Sequence, residues 1–329
     1  MNTIRFWLNN ARSISLPQSL LPAVLAVCVA SQVQGFSIYL GLLAVFGVAM
    51  AHLSLNLFDD YFDYRVKGAE FRDAMAHKGF RARIAKCHYI TSGQVTLNRL
   101  LVACLVFGAI ALLAGSIIWW FRGNFVLWIV LFAAVLGVSY SGAPLRLSYR
   151  GLGEIVIGVM FGPLSMTGVY YAACGHFDRS IVFIAIPVGL LVANIVYTHA
   201  IMDYEPDKEV GKMTFAVLLK SRRLMLLCLL LLLLASYGCI IGGVWTGHLS
   251  NYYLFTLLTV PMAVSLFYLM VAFVRCPDKQ FSPRFWMGPM SDWKRIQTYR
   301  LDWFMIRWLL ARNLLSFFCL ILIIVGFIA

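Results

Sequence analysis

The chain has 329 residues, of which 61% are hydrophobic and only 12% are charged. Soluble domains carry charged residues at about a quarter of their positions, so this composition excludes an ordinary soluble protein. The net charge of +13 would suit a nucleic-acid partner only if the basic residues formed one solvated surface, but here they lie between apolar runs. We therefore predict a protein embedded in the lipid bilayer, with no nucleic-acid partner.

Apolar runs that are long enough to cross about 30 Å of hydrocarbon recur along the whole chain. Backbone polar groups inside lipid must be paired within their own segment, so each run should be a helix. The sequence predicts an all-α integral membrane protein, a bundle of about nine transmembrane helices in one domain over residues 1–329. The predicted spans are 16–34, 37–58, 97–121, 124–143, 152–173, 180–202, 224–244, 251–274 and 306–328.

The basic residues between these runs indicate the orientation of the bundle. Of the 27 Lys and Arg residues, only Arg122 and Arg179 fall on one side of the predicted helices. Because cytoplasmic loops carry the excess of Lys and Arg, the other side is predicted to be cytoplasmic. We expect a multi-pass protein of the cell inner membrane with a cytoplasmic N-terminus and cytoplasmic loops 59–96, 203–223 and 275–305.

Acidic residues follow the second run on the predicted cytoplasmic side. Helical spacing places Asn56, Asp60 and Asp63 along one face, with Asp59 next to them. Like carboxylates at this spacing repel each other unless a cation stands between them. Carboxylate and phosphate oxygens are the ligands that Mg²⁺ prefers, so the segment predicts a magnesium site facing the cytoplasm.

A second acidic segment follows the sixth run. Asp203 and Asp207 lie four residues apart, and Pro206 is expected to bend or end the helix there. Ionisable residues at membrane depth usually serve a function. Nearby Lys and Arg side chains suit a pyrophosphate leaving group, whose charge must be neutralised as it departs.

The two acidic segments resemble the two motifs of the UbiA superfamily of intramembrane prenyltransferases. The first family motif, Asn-Asp-x-x-Asp-x-x-x-Asp, is similar to the segment from Asp59 to Lys67, with Asp in place of Asn and Lys in place of the last Asp. Glu70 is then a candidate for the missing carboxylate. The second motif, Asp-x-x-x-Asp-x-x-x-Gly-x-x-Thr, is matched in full by Asp203, Asp207, Gly211 and Thr214.

Within the superfamily, the chain resembles the 1,4-dihydroxy-2-naphthoate polyprenyltransferases of menaquinone biosynthesis. This resemblance rests on Asp59 to Asp63 followed by Lys67-Gly68, on the segment from Tyr140 to Glu154, and on Gly211-Lys212-Met213-Thr214. It implies transfer of a polyprenyl group from polyprenyl diphosphate to an aromatic acceptor, with Mg²⁺ as cofactor. One departure is that His199 and Met202 stand where the family often has Asn and Arg before the second motif.

The resemblance also assigns roles to single residues. Asp60, Asp63, Asp203 and Asp207 are the implied catalytic and metal-binding carboxylates, and Asp59 is a further metal ligand. The implied substrate-binding residues are Asn56, Lys67, Arg81, Arg83, Tyr140, Arg146, His199 and Lys212. Three of these have structural alternatives: Asn56 as an interhelical amide, Tyr140 as an interface anchor, and His199 as a helix histidine bonded to a neighbour.

Two other functions remain open at this point. A cation-coupled membrane transporter would also place carboxylates in a helix bundle, although its charges are expected near mid-membrane on interrupted helices. A UbiA-type enzyme with a different acceptor would keep both motifs. The segment around Tyr140 favours the naphthoate acceptor over this second alternative.

Overall fold

A computed structural model of the chain describes residues 3–77, 88–209, 211–276 and 279–328, except for the side chains of 66–77. The described part is almost entirely helical, which confirms the predicted all-α class. The helices in chain order are α1 (Thr3–Asn10), α2 (Pro17–Ala30), α3 (Ile38–His77), α4 (His88–Thr91), α5 (Leu97–Arg122), α6 (Asn124–Ser141), α7 (Gly153–Cys174), α8 (Ser180–Met202), α9 (Tyr204–Glu209), α10 (Phe215–Leu219), α11 (Arg222–Trp245), α12 (Asn251–Arg275), α13 (Trp293–Thr298) and α14 (Asp302–Ile328).

Eight of the described helices are long and apolar enough to cross a membrane: α5, α6, α7, α8, α11, α12, α14 and the Ile38–Arg65 part of α3. The predicted first span, 16–34, is shorter in the structure. Helix α2 has 14 residues, and at 1.5 Å per residue it is about 21 Å long, less than the hydrocarbon thickness of about 30 Å. A turn that begins at Ser31 and includes Gly35, with φ +85°, ends it.

Helix α3 is longer than predicted. We expected the span to end near residue 58 and a loop to follow over 59–96, but the described helix continues to His77. The stretch after Asp63 is rich in the helix formers Ala, Glu, Arg, Lys and Met and contains no proline, so little in it stops the helix. The first carboxylate group therefore lies inside a helix, and not at its C-terminal end.

Helices α7 and α8 pack backbone against backbone. A Cβ atom on Gly162 would lie 2.3 Å from the Cα atom of Gly189, and one on Gly189 would lie 2.6 Å from the carbonyl oxygen of Gly158. Small residues permit this close approach between membrane helices. A π-helical turn, Met160–Leu164, interrupts α7 beside this contact. The packing brings the first turn of α7 next to the last turns of α8, where the second carboxylate group begins.

The predicted loop 275–305 packs along the sides of α12 and α14 over the residues described. The indole nitrogen of Trp286 donates to the hydroxyl of Ser265 at 3.0 Å. The side-chain amide of Asn313 donates to the carbonyl oxygens of Met287 and Pro289, at 2.9 and 2.8 Å. These hydrogen bonds hold the segment against both helices.

Apolar side chains fill two clusters. The larger cluster lies mainly among α2, α7, α8, α11, α12 and α14, and it includes fully buried Tyr170 and Phe318. The smaller cluster lies among α3, α4 and α5 and includes Ala11, Leu57 and Tyr89. The first carboxylate group lies next to this smaller cluster, on the same stretch of α3.

Candidate functional site

The four carboxylates common to both predicted roles are buried. Asp60, Asp63, Asp203 and Asp207 are 1, 7, 1 and 0% exposed. Burying a carboxylate is costly unless it is paired or binds a cation. The four carboxylates, which are costly to bury, therefore lie in the protein interior, and they belong to the two acidic segments predicted from the sequence.

Hydroxyl groups orient the carboxylates of α3. The hydroxyl of Ser141 donates to Asp59 Oδ1 at 2.5 Å. The phenol of Tyr89 donates to Asp60 Oδ2 at 3.2 Å, and the phenol of Tyr149 donates to Asp63 Oδ1. Hydrogen bonds to ionised groups are stronger than neutral ones, so these contacts fix the direction in which the carboxylates point. Tyr89 was not predicted, and Ser141 and Tyr149 were only part of a motif, with no assigned role.

Arg12 also contacts the carboxylates of α3, and the sequence did not predict this contact. Its guanidinium nitrogen Nη2 lies 3.3 Å from Asp59 Oδ2 and 3.5 Å from Asp60 Oδ1, and it donates to the backbone oxygen of Asn56 at 2.7 Å. The backbone of Arg12 has φ +57°, a left-handed conformation that is unfavourable for residues other than glycine. In the sequence, Arg12 is one of the basic residues that indicate the orientation of the bundle. Its contacts with Asn56 and Asp59 are not evident there, because these partners are more than forty residues away.

The side chain of Asn56 serves the N-terminal segment. Its amide nitrogen donates to the backbone oxygen of Ala11 at 2.9 Å and to the hydroxyl of Ser15 at 3.4 Å. This is the structural alternative considered for Asn56. It stabilises the turn that presents Arg12 to the carboxylates.

The second carboxylate group lies where α8 ends. Asp203 follows the last residue of α8, and the backbone N–H of Asp207 donates to the carbonyl oxygen of Asp203 at 2.8 Å. Helix α8 ends at Met202, four residues before Pro206, and α9 begins at Tyr204. The prediction that the helix bends or ends near Pro206 is therefore confirmed as a helix end. His199 Nε2 lies 3.1 Å from Asp203 Oδ2, and its ring meets Phe304 edge-on at 5.2 Å. The histidine thus contacts a candidate metal ligand.

The connection between α6 and α7 joins the two carboxylate groups. Tyr149 in this connection bonds Asp63 of α3, and Arg150 pairs with Met213, which follows the second group, in a parallel bridge. Glu154 Oε1 then accepts the backbone N–H of Phe215 at 3.2 Å. These contacts place both groups at one end of the bundle, which we call the acidic end.

Of the remaining predicted substrate-binding residues, three lie in the described part of the chain. The ring of Tyr140 lies against the start of α7, because a Cβ atom on Gly153 would be 3.5 Å from it. The backbone of Arg146 has φ +45°, again left-handed. Lys212 donates its backbone N–H to the carbonyl oxygen of Asp207 at 2.8 Å. The side chains of the other predicted residues lie outside the described part of the chain, and these are Lys67, Arg81, Arg83 and the candidate Glu70.

The donor set at the acidic end suits Mg²⁺ chemically. Among the described side chains, no group of three or more His, Cys, Asp or Glu is already arranged to hold a metal ion. Mg²⁺ is usually held by one or two carboxylates together with substrate phosphates and water, and not by an all-protein cage. Pairs of buried carboxylates on α3 and at the end of α8 therefore fit a metal ion that arrives with a phosphate-bearing substrate.

A long apolar cavity begins beside the first carboxylate group. It has a volume of about 540 Å³ and lies among α3, α5, α6 and α7. The end of the cavity nearest the carboxylates is lined by Phe58, which precedes Asp59, and by Val138, which lies one turn before Ser141. A chain-like apolar group attached to a molecule at the acidic end has room to enter here.

The fold is that of a helical membrane protein whose buried acidic residues collect at one end. A family model for the UbiA prenyltransferase family matches residues 19–288. The chain belongs to this family, whose members transfer prenyl groups.

Relatives and a solved structure extend the comparison. Over 258 residues, 77% of this chain and 78% of the relative, the chain is 26% identical to the 1,4-dihydroxy-2-naphthoate octaprenyltransferase of Bacillus subtilis (strain 168). It is 28% identical to the UbiA prenyltransferase domain-containing protein 1 homolog of Drosophila melanogaster over 279 residues, 80% and 70% of the two chains. A UbiA homolog from Archaeoglobus fulgidus bound to GPP and Mg²⁺ shares the fold, with a TM-score of 0.60 at 16% identity over 96% and 99% of the chains.

Proposed function

We propose that this protein transfers a polyprenyl group from polyprenyl diphosphate to an aromatic acceptor, 1,4-dihydroxy-2-naphthoate, in menaquinone biosynthesis. The observation that carries the proposal is the pair of buried carboxylate groups that the α6–α7 connection joins at the acidic end, with an apolar cavity that begins beside the first group. The naphthoate acceptor is supported by relatives such as the Bacillus subtilis enzyme. The same proposal places the protein in the cell inner membrane, with its acidic end facing the cytoplasm.

Asp60, Asp63, Asp203 and Asp207, with Asp59, are the residues proposed to hold Mg²⁺. When bound, the metal neutralises the negative charge that develops on the departing diphosphate. Tyr89, Tyr149, Ser141 and His199 keep the carboxylates oriented for this task. Because each orienting contact is already formed in the protein, little reorganisation is needed when the charge develops.

The chain's cations are proposed to bind the diphosphate. Arg146 lies between Ser141 and Tyr149, which bond Asp59 and Asp63. The backbone N–H of Lys212 bonds the carbonyl oxygen of Asp207, so both cations are candidates for diphosphate contacts. Lys67, Arg81 and Arg83 are further candidates from the sequence. Positive groups directed at the diphosphate stabilise it most when the carbon–oxygen bond has broken, which lowers the barrier and not only the KM.

The reaction requires no protein nucleophile. The allylic carbon–oxygen bond of the donor breaks, the electron pair leaves with the diphosphate, and the allylic cation is attacked by an electron-rich ring carbon of the acceptor. On the naphthoate, the attacked carbon bears the carboxylate, which leaves as carbon dioxide. Tyr140 directly precedes Ser141, which bonds Asp59, and its π face is proposed to stabilise the cation. Burial of the carboxylates keeps water away from this part of the site.

Product formation tests the proposal. Membranes that contain the protein are supplied with Mg²⁺, radiolabelled polyprenyl diphosphate and a panel of aromatic acceptors. We expect a lipid-soluble labelled product with 1,4-dihydroxy-2-naphthoate and release of one carbon dioxide per product. A product with another acceptor alone would contradict the naphthoate assignment, and cation-dependent uptake into vesicles without any prenylated product would contradict the enzyme.

A further inference from the structure

His52 on α3 lies between two serines of the N-terminal part of the chain. Its ring nitrogen Nδ1 is 2.6 Å from the hydroxyl oxygen of Ser19 on α2, and Nε2 is 3.2 Å from that of Ser15, in the turn that precedes α2. A neutral imidazole has one donor and one acceptor nitrogen, so it can bond both hydroxyls at once. The centroid of its ring is also 4.9 Å from that of Phe161 on α7. His52 therefore contacts three neighbouring segments.

These contacts are buried inside the helix bundle. His52 is 6% exposed and Ser19 is 0% exposed, and His52 also lines the apolar cavity. A polar side chain in such a place must be hydrogen-bonded to avoid a desolvation cost, which a leucine would not incur. Ionisable residues at membrane depth usually serve a function, so His52 is a candidate for a role beyond packing.

The turn that His52 contacts is the turn that carries Arg12. The hydroxyl of Ser15 donates to the carbonyl oxygen of Arg12 at 2.7 Å, and Asn56, one helical turn after His52, bonds the backbone of Ala11. The left-handed backbone of Arg12, with φ +57°, is unfavourable for a residue with a side chain. Such a conformation persists only where the surrounding contacts impose it. Ser15, held by His52, supplies one of these contacts.

The hydrogen bonds follow one another from α2 to Arg12. The hydroxyl of Ser19 lies closer to His52 Nδ1, at 2.6 Å, than to the carbonyl oxygen of Leu16, at 3.0 Å, which directs its proton to His52. Nε2 then carries the ring proton and donates to Ser15, and the hydroxyl of Ser15 donates to Arg12. Hydrogen bonds in such a chain polarise and strengthen one another.

His52 itself lies away from the carboxylates. It precedes Asp59 by seven residues, which is about 10 Å along α3, whereas Arg12 Nη2 is 3.3 Å from Asp59 Oδ2. The bonded route from His52 to the first carboxylate group runs through Ser15 and Arg12.

We propose that His52 is a positioning residue for Arg12, acting through Ser15, and that it thereby sets the affinity of the first carboxylate group for Mg²⁺ and diphosphate. This inference rests on the proposed function. While Arg12 is fixed beside Asp59 and Asp60, its charge opposes a metal ion there and attracts the diphosphate. Without the bond from His52, the turn loses a contact that imposes its strained backbone, and Arg12 occupies this position less often.

Substitutions of His52 separate its two bonds. The amide of glutamine reaches the place of Nε2, so His52→Gln keeps a donor for Ser15. The shorter amide of asparagine reaches only the place of Nδ1, so His52→Asn keeps the bond to Ser19 and loses the bond to Ser15. His52→Leu loses both. Tyr237→Phe is the matched control, because its hydroxyl is 2.8 Å from that of Thr259, between α11 and α12 and away from the acidic end.

The measurement is the binding of a radiolabelled, non-ionising thio-analogue of geranyl diphosphate to the purified full-length protein as the Mg²⁺ concentration is raised. We expect His52→Leu and His52→Asn to lower the Mg²⁺ concentration for half-maximal binding and to raise the Kd of the analogue at saturating Mg²⁺, each by about threefold. His52→Gln and Tyr237→Phe should bind like the unmodified protein. A merely structural role for His52 would lower the melting temperature without moving the two affinities in opposite directions.

A double-mutant cycle tests the route through Arg12. If His52 acts through Arg12, adding His52→Leu to Arg12→Gln should change neither affinity further, because additivity fails for residues that share one network. Simple addition of the two effects would overturn the proposal. Unchanged affinities in His52→Leu, or equal losses in His52→Gln and His52→Asn, would also overturn it.

Failure of the proposed function gives a different result. In that case the unmodified protein does not bind the analogue at any Mg²⁺ concentration. The melting temperatures of the unmodified protein, the two single variants and the double variant then test the contact by themselves, and additive changes in melting temperature would contradict a coupling of His52 to Arg12.

Discussion

Phenolic hydroxyls hold the carboxylates of α3 at the acidic end. Tyr149 comes from the α6–α7 connection and Tyr89 from α4, so two separate segments must be in place before Asp63 and Asp60 are oriented. A hydrogen bond to a charged group is worth about 1.5–3 kcal/mol. The positions of these carboxylates therefore depend on residues far from them in the sequence.

Removing one phenol tests this dependence. Tyr149→Phe should lower kcat by about tenfold and raise the Mg²⁺ concentration needed for half-maximal activity, because a hydrogen bond to a charged group contributes about 1.5–3 kcal/mol. The matched control is Tyr171→Phe, whose hydroxyl donates to the backbone of Arg122 away from the acidic end. Equal kinetics for Tyr149→Phe and the control would contradict the orienting role.

Replacing Arg12 should change the apparent affinities for Mg²⁺ and for the diphosphate donor in opposite directions. Arg12→Gln removes a cation from beside Asp59 and Asp60, so these carboxylates become more available to metal, and the Mg²⁺ concentration for half-maximal activity should fall by about threefold to tenfold. The KM for the diphosphate donor should rise, since one positive charge is lost near its site. Arg5→Gln, at an exposed position on α1, is the control. A rise in the Mg²⁺ requirement would show that Arg12 does not compete with the metal.

At the scale of helices, the contact of α7 with α8 positions the second carboxylate group. The backbones of Gly162 and Gly189 are too close for any side chain between them, and the first turn of α7 then holds the loop after Asp207 through Glu154 and Phe215. Separating the two helices would move Glu154 away from this loop.

A methyl group at this contact should destabilise the protein. Gly189→Ala places a Cβ 2.6 Å from the carbonyl oxygen of Gly158, and overpacking of this kind costs about 1–3 kcal/mol. The measurement is thermal unfolding of the purified protein in detergent, with Gly238→Ala as the control. A melting temperature equal to that of the control would mean that α7 and α8 separate at no cost.

The sequence predicted which helices form but not how their ends meet. Apolar runs and the two acidic motifs are local signals. They predicted the eight long helices, the helix end near Pro206, and Asp60, Asp63, Asp203 and Asp207 as candidate site residues, but not the burial of these four carboxylates. The continuation of α3 to His77 was missed, because a polar helix that leaves the membrane carries no apolar signal. The contacts of Arg12, Tyr89 and Glu154 were missed because they join distant segments, which a single sequence does not reveal.

For the molecule as a whole, the proposed orientation places the acidic end in the cytoplasm. Cys276 follows α12 at this end and is exposed. In right-side-out vesicles, a membrane-impermeant maleimide should leave Cys276 unlabelled until the membrane is permeabilised, whereas a cysteine at exposed His248, beyond α11 on the other side, should react at once. Both variants are made in a background that lacks the other cysteines. The reverse pattern would place the acidic end outside.

The central claim is that carboxylates from α3 and from the end of α8 bind one diphosphate together. Binding of a radiolabelled, non-ionising thio-analogue of geranyl diphosphate to the purified protein, with and without Mg²⁺, tests this claim directly. We predict Mg²⁺-dependent binding that both Asp60→Asn and Asp207→Asn weaken by about a hundredfold, the scale at which lost charge stabilisation is felt in a buried site, while Asp178→Asn in the α7–α8 turn binds normally. Binding that survives either substitution, or that does not require Mg²⁺, would contradict a shared diphosphate site.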